Sequence, residues 1–311
     1  MQKPSTVLQL VDALAPHTVL IHHDFRKQKD FQINRPNVRW VADPKETGWG
    51  NWGFSDGIYH TVDYALRELE FDYFQLLSPT CLPIRPMADF EQFVSASDCD
   101  IHGDFFDISS DQEMMMIFGF RAYVPAQTLR IALLQRAQRW YFGPEVKVQQ
   151  HVSLSIRKRD EMRPMGPIPT LKAQLGLGIT ELAKKGFLHR HPFNESFRPY
   201  IGSTWVGLTH RACESLAKTR QDPRVDGHFR RLPIVDEIMF PTFLANAGYK
   251  IGPGNHVINT FTVAGSPAWI NDEDFNRMIQ TPLFFARKFP DDAESPIRLR
   301  ALDRLRSPLH A

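Results

Sequence analysis

The sequence predicts an α/β protein, and three stretches carry that expectation. Thr18-Val19-Leu20-Ile21-His22-His23-Asp24 is an apolar run that turns polar at its carboxyl end. It reads as a buried parallel strand, and open α/β sheets bind ligands at such ends. Asn37 to Val41 is a second short strand, followed by a glycine-rich loop and a helix from about Gly57 to Glu70, which together make a strand-loop-helix unit. Phe71 to Ser78 is the strongest strand of the chain, and Pro79-Thr80-Cys81-Leu82-Pro83 ends it abruptly.

In chain order, a helix opens the molecule over Thr6 to Ala15, with Val7, Leu8, Leu10, Val11 and Leu14 on its apolar pattern and Pro16 as its stop. Asp24 is the first candidate site residue; a capping role in the strand-to-helix loop weighs equally. His22 and His23 are consecutive, so a strand points them to opposite sides, and neither has metal-ligand spacing. The loop Thr47 to Ser55 lets the backbone turn beside Trp49 and Trp52. It lacks the P-loop lysine and the dinucleotide fingerprint. Ser78 and Cys81 belong to a loop expected to face substrate. Met87 to Phe93 reads as a short helix. Asp98-Cys99-Asp100 and Asp104 invite comparison with an Asp-x-Asp metal motif, but Ser95-Ala96-Ser97 precede them instead of a buried strand, and no metal is assigned.

A helix is expected from Pro125 to Trp140. Residues 143–199 read as a long insertion, either an acceptor-side lid or a solvated excursion. Tyr200 to Thr209 is a strand entering a helix with Cys213, Leu216 and Ala217, followed by a loop from Gln221 to Arg231. Ile234, Ile238, Phe240, Phe243, Leu244 and Ala247 then recur at the spacing of a helix with one buried face, placing Asp236 and Glu237 in its first turn. There the helix dipole and free amides favour an ionised carboxylate, as a general base requires; capping is the competing role. Strands are expected at Lys250 to His256 and Val257 to Val263, and a short helix at Asp272 to Ile279. Arg287 and Lys288 sit in an aromatic stretch, where cations either snorkel at the surface or reach into a cleft to hold a diphosphate. Ile297 to Leu309 interleaves arginines with leucines and reads as a surface helix, with peripheral contact to the inner face of a membrane as the alternative.

The composition narrows the classes. With 37 Lys and Arg against 35 Asp and Glu the net charge is +2, which offers no reason for a nucleic-acid partner. Three scattered cysteines, Cys81, Cys99 and Cys213, fit a reducing cytoplasmic compartment and neither a disulfide framework nor a zinc site. No apolar run reaches the ~18 residues of a membrane span.

The order of these motifs resembles the family of core-2/I-branching β-1,6-N-acetylglucosaminyltransferases and peptide xylosyltransferases. The pieces are His22-His23-Asp24; Trp49-Gly50 with Ser55; Asp72-Tyr73-Phe74 leading to Leu77-Ser78 and Pro83; Gly202-Ser203-Thr204-Trp205 with Leu208-Thr209; Asp236-Glu237 with Phe240 and Thr242; and Phe285-Ala286-Arg287-Lys288-Phe289. The resemblance implies a GT-A-like fold, a Rossmann-like mixed sheet flanked by helices, in one catalytic domain over 1–311. Residues 1–142 would form the nucleotide half, 143–199 the insertion and 200–311 the acceptor and catalytic half. It implies inverting transfer of N-acetylglucosamine or xylose from a UDP-sugar to a saccharide or glycolipid hydroxyl, with no divalent metal or other cofactor, in bacterial surface-polysaccharide synthesis. The alternative is a catalytically silent saccharide- or nucleotide-binding protein. Glu237 matches the base; Lys288, with Arg287 beside it, matches the diphosphate site. His23, Asp24, Trp49 and Gly50 fall at the nucleotide, and Ser78, Cys81, Ser203, Trp205 and Asp236 along the sugar and acceptor pocket. One carboxylate suffices for direct displacement, whereas a glycosidase needs two carboxyls across the bond. The chain departs from the pattern in three ways. Cys81 replaces an acidic residue, no second diphosphate arginine stands among Asn259 to Trp269, and a strand expected before the first helix has no counterpart.

Overall fold

A computed structural model of the chain describes residues 3–48, 50–110, 136, 171, 174–175, 178–179, 182, 191–232, 234–257 and 267–306. All of the Pro125–Trp140 helix but residue 136, most of the 143–199 insertion, Trp49, the strand expected over 258–263 and residues 307–309 lie outside them.

The amino-terminal half runs α1 (Pro4–Ala13), β1 (Val19–Ile21), β2 (Val38–Trp40), α2 (Trp52–Glu68), β3 (Tyr73–Gln75), β4 (Leu82–Pro83), α3 (Met87–Ala96), β5 (Ile101–His102) and β6 (Phe105–Asp107). After the insertion come β7 (Tyr200–Gly202), β8 (Gly207–Thr209), α4 (His210–Thr219), α5 (Pro223–Gly227), α6 (Asp236–Ala245), β9 (Ile251–Gly252), β10 (His256–Val257), α7 (Asp272–Met278), β11 (Phe285–Ala286) and α8 (Pro296–Arg306). The class is mixed α/β. The strands form several small sheets instead of one: β1 with β2, β3-β8-β5-β9, β10-β11-β4, and β6 with β7.

Local chemistry explains the helix starts. α2 begins at Trp52, several residues before the expected Gly57, because the Asn51 side chain accepts from the Gly53 N–H and satisfies an end amide. Asp222 caps α5 and Asn271 caps α7 in the same way. The Tyr200–Thr209 stretch splits into β7 and β8 at a turn in which the Ser203 hydroxyl accepts from the Trp205 N–H. Position 207 must be glycine, since a Cβ there would lie 1.8 Å from the Tyr73 hydroxyl.

Three apolar clusters hold the fold. One gathers around α6, against α2, α4 and β7; a second joins α1, α3, α7 and α8 to β4, β10 and β11; a third sets Val7 and Val11 of α1 against Phe31, Ile33 and Val38. α6 departs from the expected one-sided helix: every residue from Ile238 to Leu244 is buried. A helix apolar all round is one surrounded by protein.

The arginine-rich segment at 297 is a helix docked on the body of the protein. Ile297 and Ala301 are buried, and Arg298, fully buried, donates to Thr6 O, Pro290 O and Gln9 Oε1 at 2.9, 3.2 and 2.8 Å. That clamps α8 to α1. Among the described residues no helix is long and apolar enough to cross a membrane.

Candidate functional site

Glu237 lies in the first turn of α6, half-buried, with Oε2 shielded from solvent. Its neighbour Asp236 is buried, and Asp236 Oδ2 accepts from the Thr204 hydroxyl at 2.7 Å. The residue at the helix cap is Val235, which offers no side-chain oxygen. Asp236 therefore ties the turn before β8 to the start of α6, an orienting role. The approach to the helix is held in an unusual conformation. Ile234 has φ 49°, and its N–H donates to Gly50 O at 2.9 Å. A β-branched residue in the left-handed region costs about 1–3 kcal/mol, so the surrounding contacts must hold this turn in place. Gly50, with φ 70°, supplies the backbone that makes the contact.

Arg287 lies within electrostatic reach of both carboxylates. Its guanidinium lies 4.6 Å from the centre of the Trp205 ring, and its Nε is buried without a hydrogen-bond partner among the described residues. Burial lowers the pKa of Arg287; Cys81, Glu237 and Asp236 act in the opposite direction. Lys288 lies 4.1 Å from the Trp269 ring, and its pKa is lowered by burial and then by repulsion from Arg287. Among the described residues neither cation forms a salt bridge, so two adjacent positive charges are left with donors to spare. Such an arrangement favours a multiply charged anion.

Cys81 is fully buried. Its Sγ is 3.1 Å from both Ser78 Oγ and His256 Nε2, and burial raises its pKa. Ser78 also bonds Thr80 at 2.9 Å. His256 stacks beside Trp205, ring centres 6.2 Å apart. Sequence reasoning missed this histidine because only the register of β10 against β11, which sets His256 opposite Phe285, brings it to Trp205 and Cys81. Ser203 is buried, with its oxygen accepting from Trp205 N–H, so it shapes the turn that presents the indole.

The carboxyl end of β1 forms a second cluster. Asp24 accepts from Arg26 through both oxygens at 2.9 and 2.8 Å and from Thr47 N–H at 3.1 Å; the Arg26 bond above all holds its pKa well below the usual carboxylate range. His23 bonds Gln28 O at 2.9 Å and stacks on Phe31. Burial, helped by His60, pushes His22 down to about 4, and its Nε2 accepts from Lys45 N–H at 3.0 Å. Through Thr47 and Gly50 the loop after β2 joins this cluster to the start of α6. The structure thus gathers Ser78, Cys81, Trp205, Asp236, Glu237 and Arg287 in one region, with Lys288 next to it. Asp98 and Asp100 are paired instead with Lys250 and Arg211.

No protein-family model matches the chain, and no curated protein matches it.

Proposed function

We propose that the protein is an inverting glycosyltransferase of the GT-A fold, moving N-acetylglucosamine or xylose from a UDP-sugar to a saccharide hydroxyl. The observation that carries this reading is the cation pair Arg287 and Lys288, without salt-bridge partners among the described residues, with Arg287 within electrostatic reach of a half-buried carboxylate in a helix first turn. In the proposed reaction Glu237 accepts the proton of the acceptor hydroxyl as that oxygen attacks the anomeric carbon. The bond from the anomeric carbon to the diphosphate oxygen breaks, and UDP departs with the electron pair. Arg287 and Lys288 offset the charge that develops on the leaving diphosphate, which supports a metal-independent route. Trp205, fixed between Arg287 and His256, offers an apolar face for the sugar ring.

The test is a panel of UDP-sugars, including UDP-xylose and UDP-N-acetylglucosamine, with mixed saccharide acceptors read by mass spectrometry, plus UDP titration by calorimetry. A transfer product that survives EDTA is expected. UDP binding without turnover on any donor would favour a silent binding protein, and no UDP binding would overturn both readings.

A further inference from the structure

Each cation of the pair lies on an indole, and the two indoles differ. Arg287 is over Trp205, a half-buried ring that His256 and Phe54 also pack against. Lys288 is over Trp269, with Nζ 4.1 Å from the ring centre, and Trp269 is 48% exposed. Exposure alone says little, since single apolar side chains are common at protein surfaces. What sets Trp269 apart is how firmly the chain around it is tied to Lys288.

The Ile270 N–H donates to Lys288 O at 2.9 Å, so the backbone next to Trp269 is bonded directly to the backbone of the lysine. Ile270 is itself buried in the cluster that holds Phe275 and Phe289. Asn271 then caps α7, its side chain accepting from the Asp274 N–H at 2.8 Å. Trp269 therefore leads into a segment anchored at each of its next two residues. The flexible partner of the contact is the four-carbon stem of the lysine.

An ammonium is attracted to an indole face by about as much as it costs in rotamer entropy to hold a lysine still, so the ring is strong enough to restrain the side chain. A carboxylate in the same place would restrain it too. It would also cancel the charge, and a phosphate would have to displace it. An indole carries no net charge and leaves the ammonium its full attraction for an anion. Among the described residues no carboxylate acts on Lys288.

We propose that Trp269 is a positioning residue, whose ring holds the Lys288 ammonium next to Arg287, uncancelled, where it meets the diphosphate of the donor. This role rests on the diphosphate function given to Lys288 above.

The test is calorimetric titration of UDP into the full chain and into Trp269→Leu, Trp269→Phe, Lys288→Ala and the Trp269→Leu/Lys288→Ala double variant, each with a melting curve. Trp269→Leu keeps apolar bulk and loses the ring, and it should weaken UDP binding by about 3- to 30-fold. Trp269→Phe, which keeps a ring face, should recover most of that loss. In the Lys288→Ala background the change to Leu should alter UDP affinity by no more than about twofold, as when two residues act through one contact. Unchanged affinity in Trp269→Leu would overturn the proposal. So would tighter binding, which would show ring and diphosphate competing for the ammonium, or an equal loss in both backgrounds, which would make Trp269 merely structural. Each of these results leaves the transferase reading standing, because the parent chain still binds UDP. A parent chain that binds no UDP would overturn both.

Discussion

The Arg287 guanidinium stacks at 4.6 Å over the Trp205 ring, and that one contact orients the site. It turns a cation in an aromatic stretch of sequence inward, toward Glu237, instead of outward to water. The indole is held from its other neighbours too, by His256 at 6.2 Å and Phe54 at 6.4 Å between ring centres.

Replacing Glu237 with Gln keeps the shape of the α6 first turn and removes the proton acceptor. Transfer should fall by about 10²–10⁴-fold while UDP affinity holds. Product-formation rates paired with calorimetry check this, and an unchanged rate removes Glu237 as the base.

Arg287→Ala and Lys288→Ala should each weaken UDP binding by about 10- to 150-fold, the range of a lost charge-assisted hydrogen bond. Arg287→Lys should restore little, because an ammonium reproduces neither the planar stack on Trp205 nor the fork of donors. Melting curves must accompany the titrations, since Arg287 is also packed.

The pKa of His22, lowered to about 4 in the fold against an ordinary 6.5, makes a pH prediction. Between these values the unfolded chain binds the extra proton. The contribution is fully present above pH 6.5 and is lost as pH falls toward 4, with a total on the order of 2 kcal/mol after allowing for partial exposure. Urea midpoints from pH 7 to 4 should fall less steeply for His22→Gln than for the parent chain. Parallel curves would reject this.

Arg298→Met keeps volume but leaves Thr6 O, Pro290 O and Gln9 without their donor. A loss of about 2–3 kcal/mol in urea unfolding is expected. The parent protein should not pellet with anionic liposomes through α8, and binding abolished by Leu299→Glu would show the docked helix to be the wrong account.

Much of the fold was legible. The first strand, the helix before it and the helix after the glycine loop follow from apolar period and from stops such as Pro16. The start of α2 was signalled by Asn51, a capping residue that the apolar period alone overlooks. β1 and β3 are shorter and more exposed than their sequences suggest, three residues each and half-buried throughout. The burial of α6 on every side was not legible from its spacing, because the polar positions that would mark a wet face are few and the carboxylates stand at its end.

By itself the sequence determined the α/β class, the order of elements and the place of Asp236 and Glu237 in a helix first turn, since each depends on neighbours a few residues apart. Tertiary structure alone decided that Asp236 binds Thr204, that Arg287 comes within electrostatic reach of Glu237, and that Cys81 is buried with His256 against it. Those pairings join residues far apart in the chain. The contact of Cys81 with His256 depends on the register of β4, β10 and β11 and on which side of each strand a residue falls, and a shift of one residue would break it.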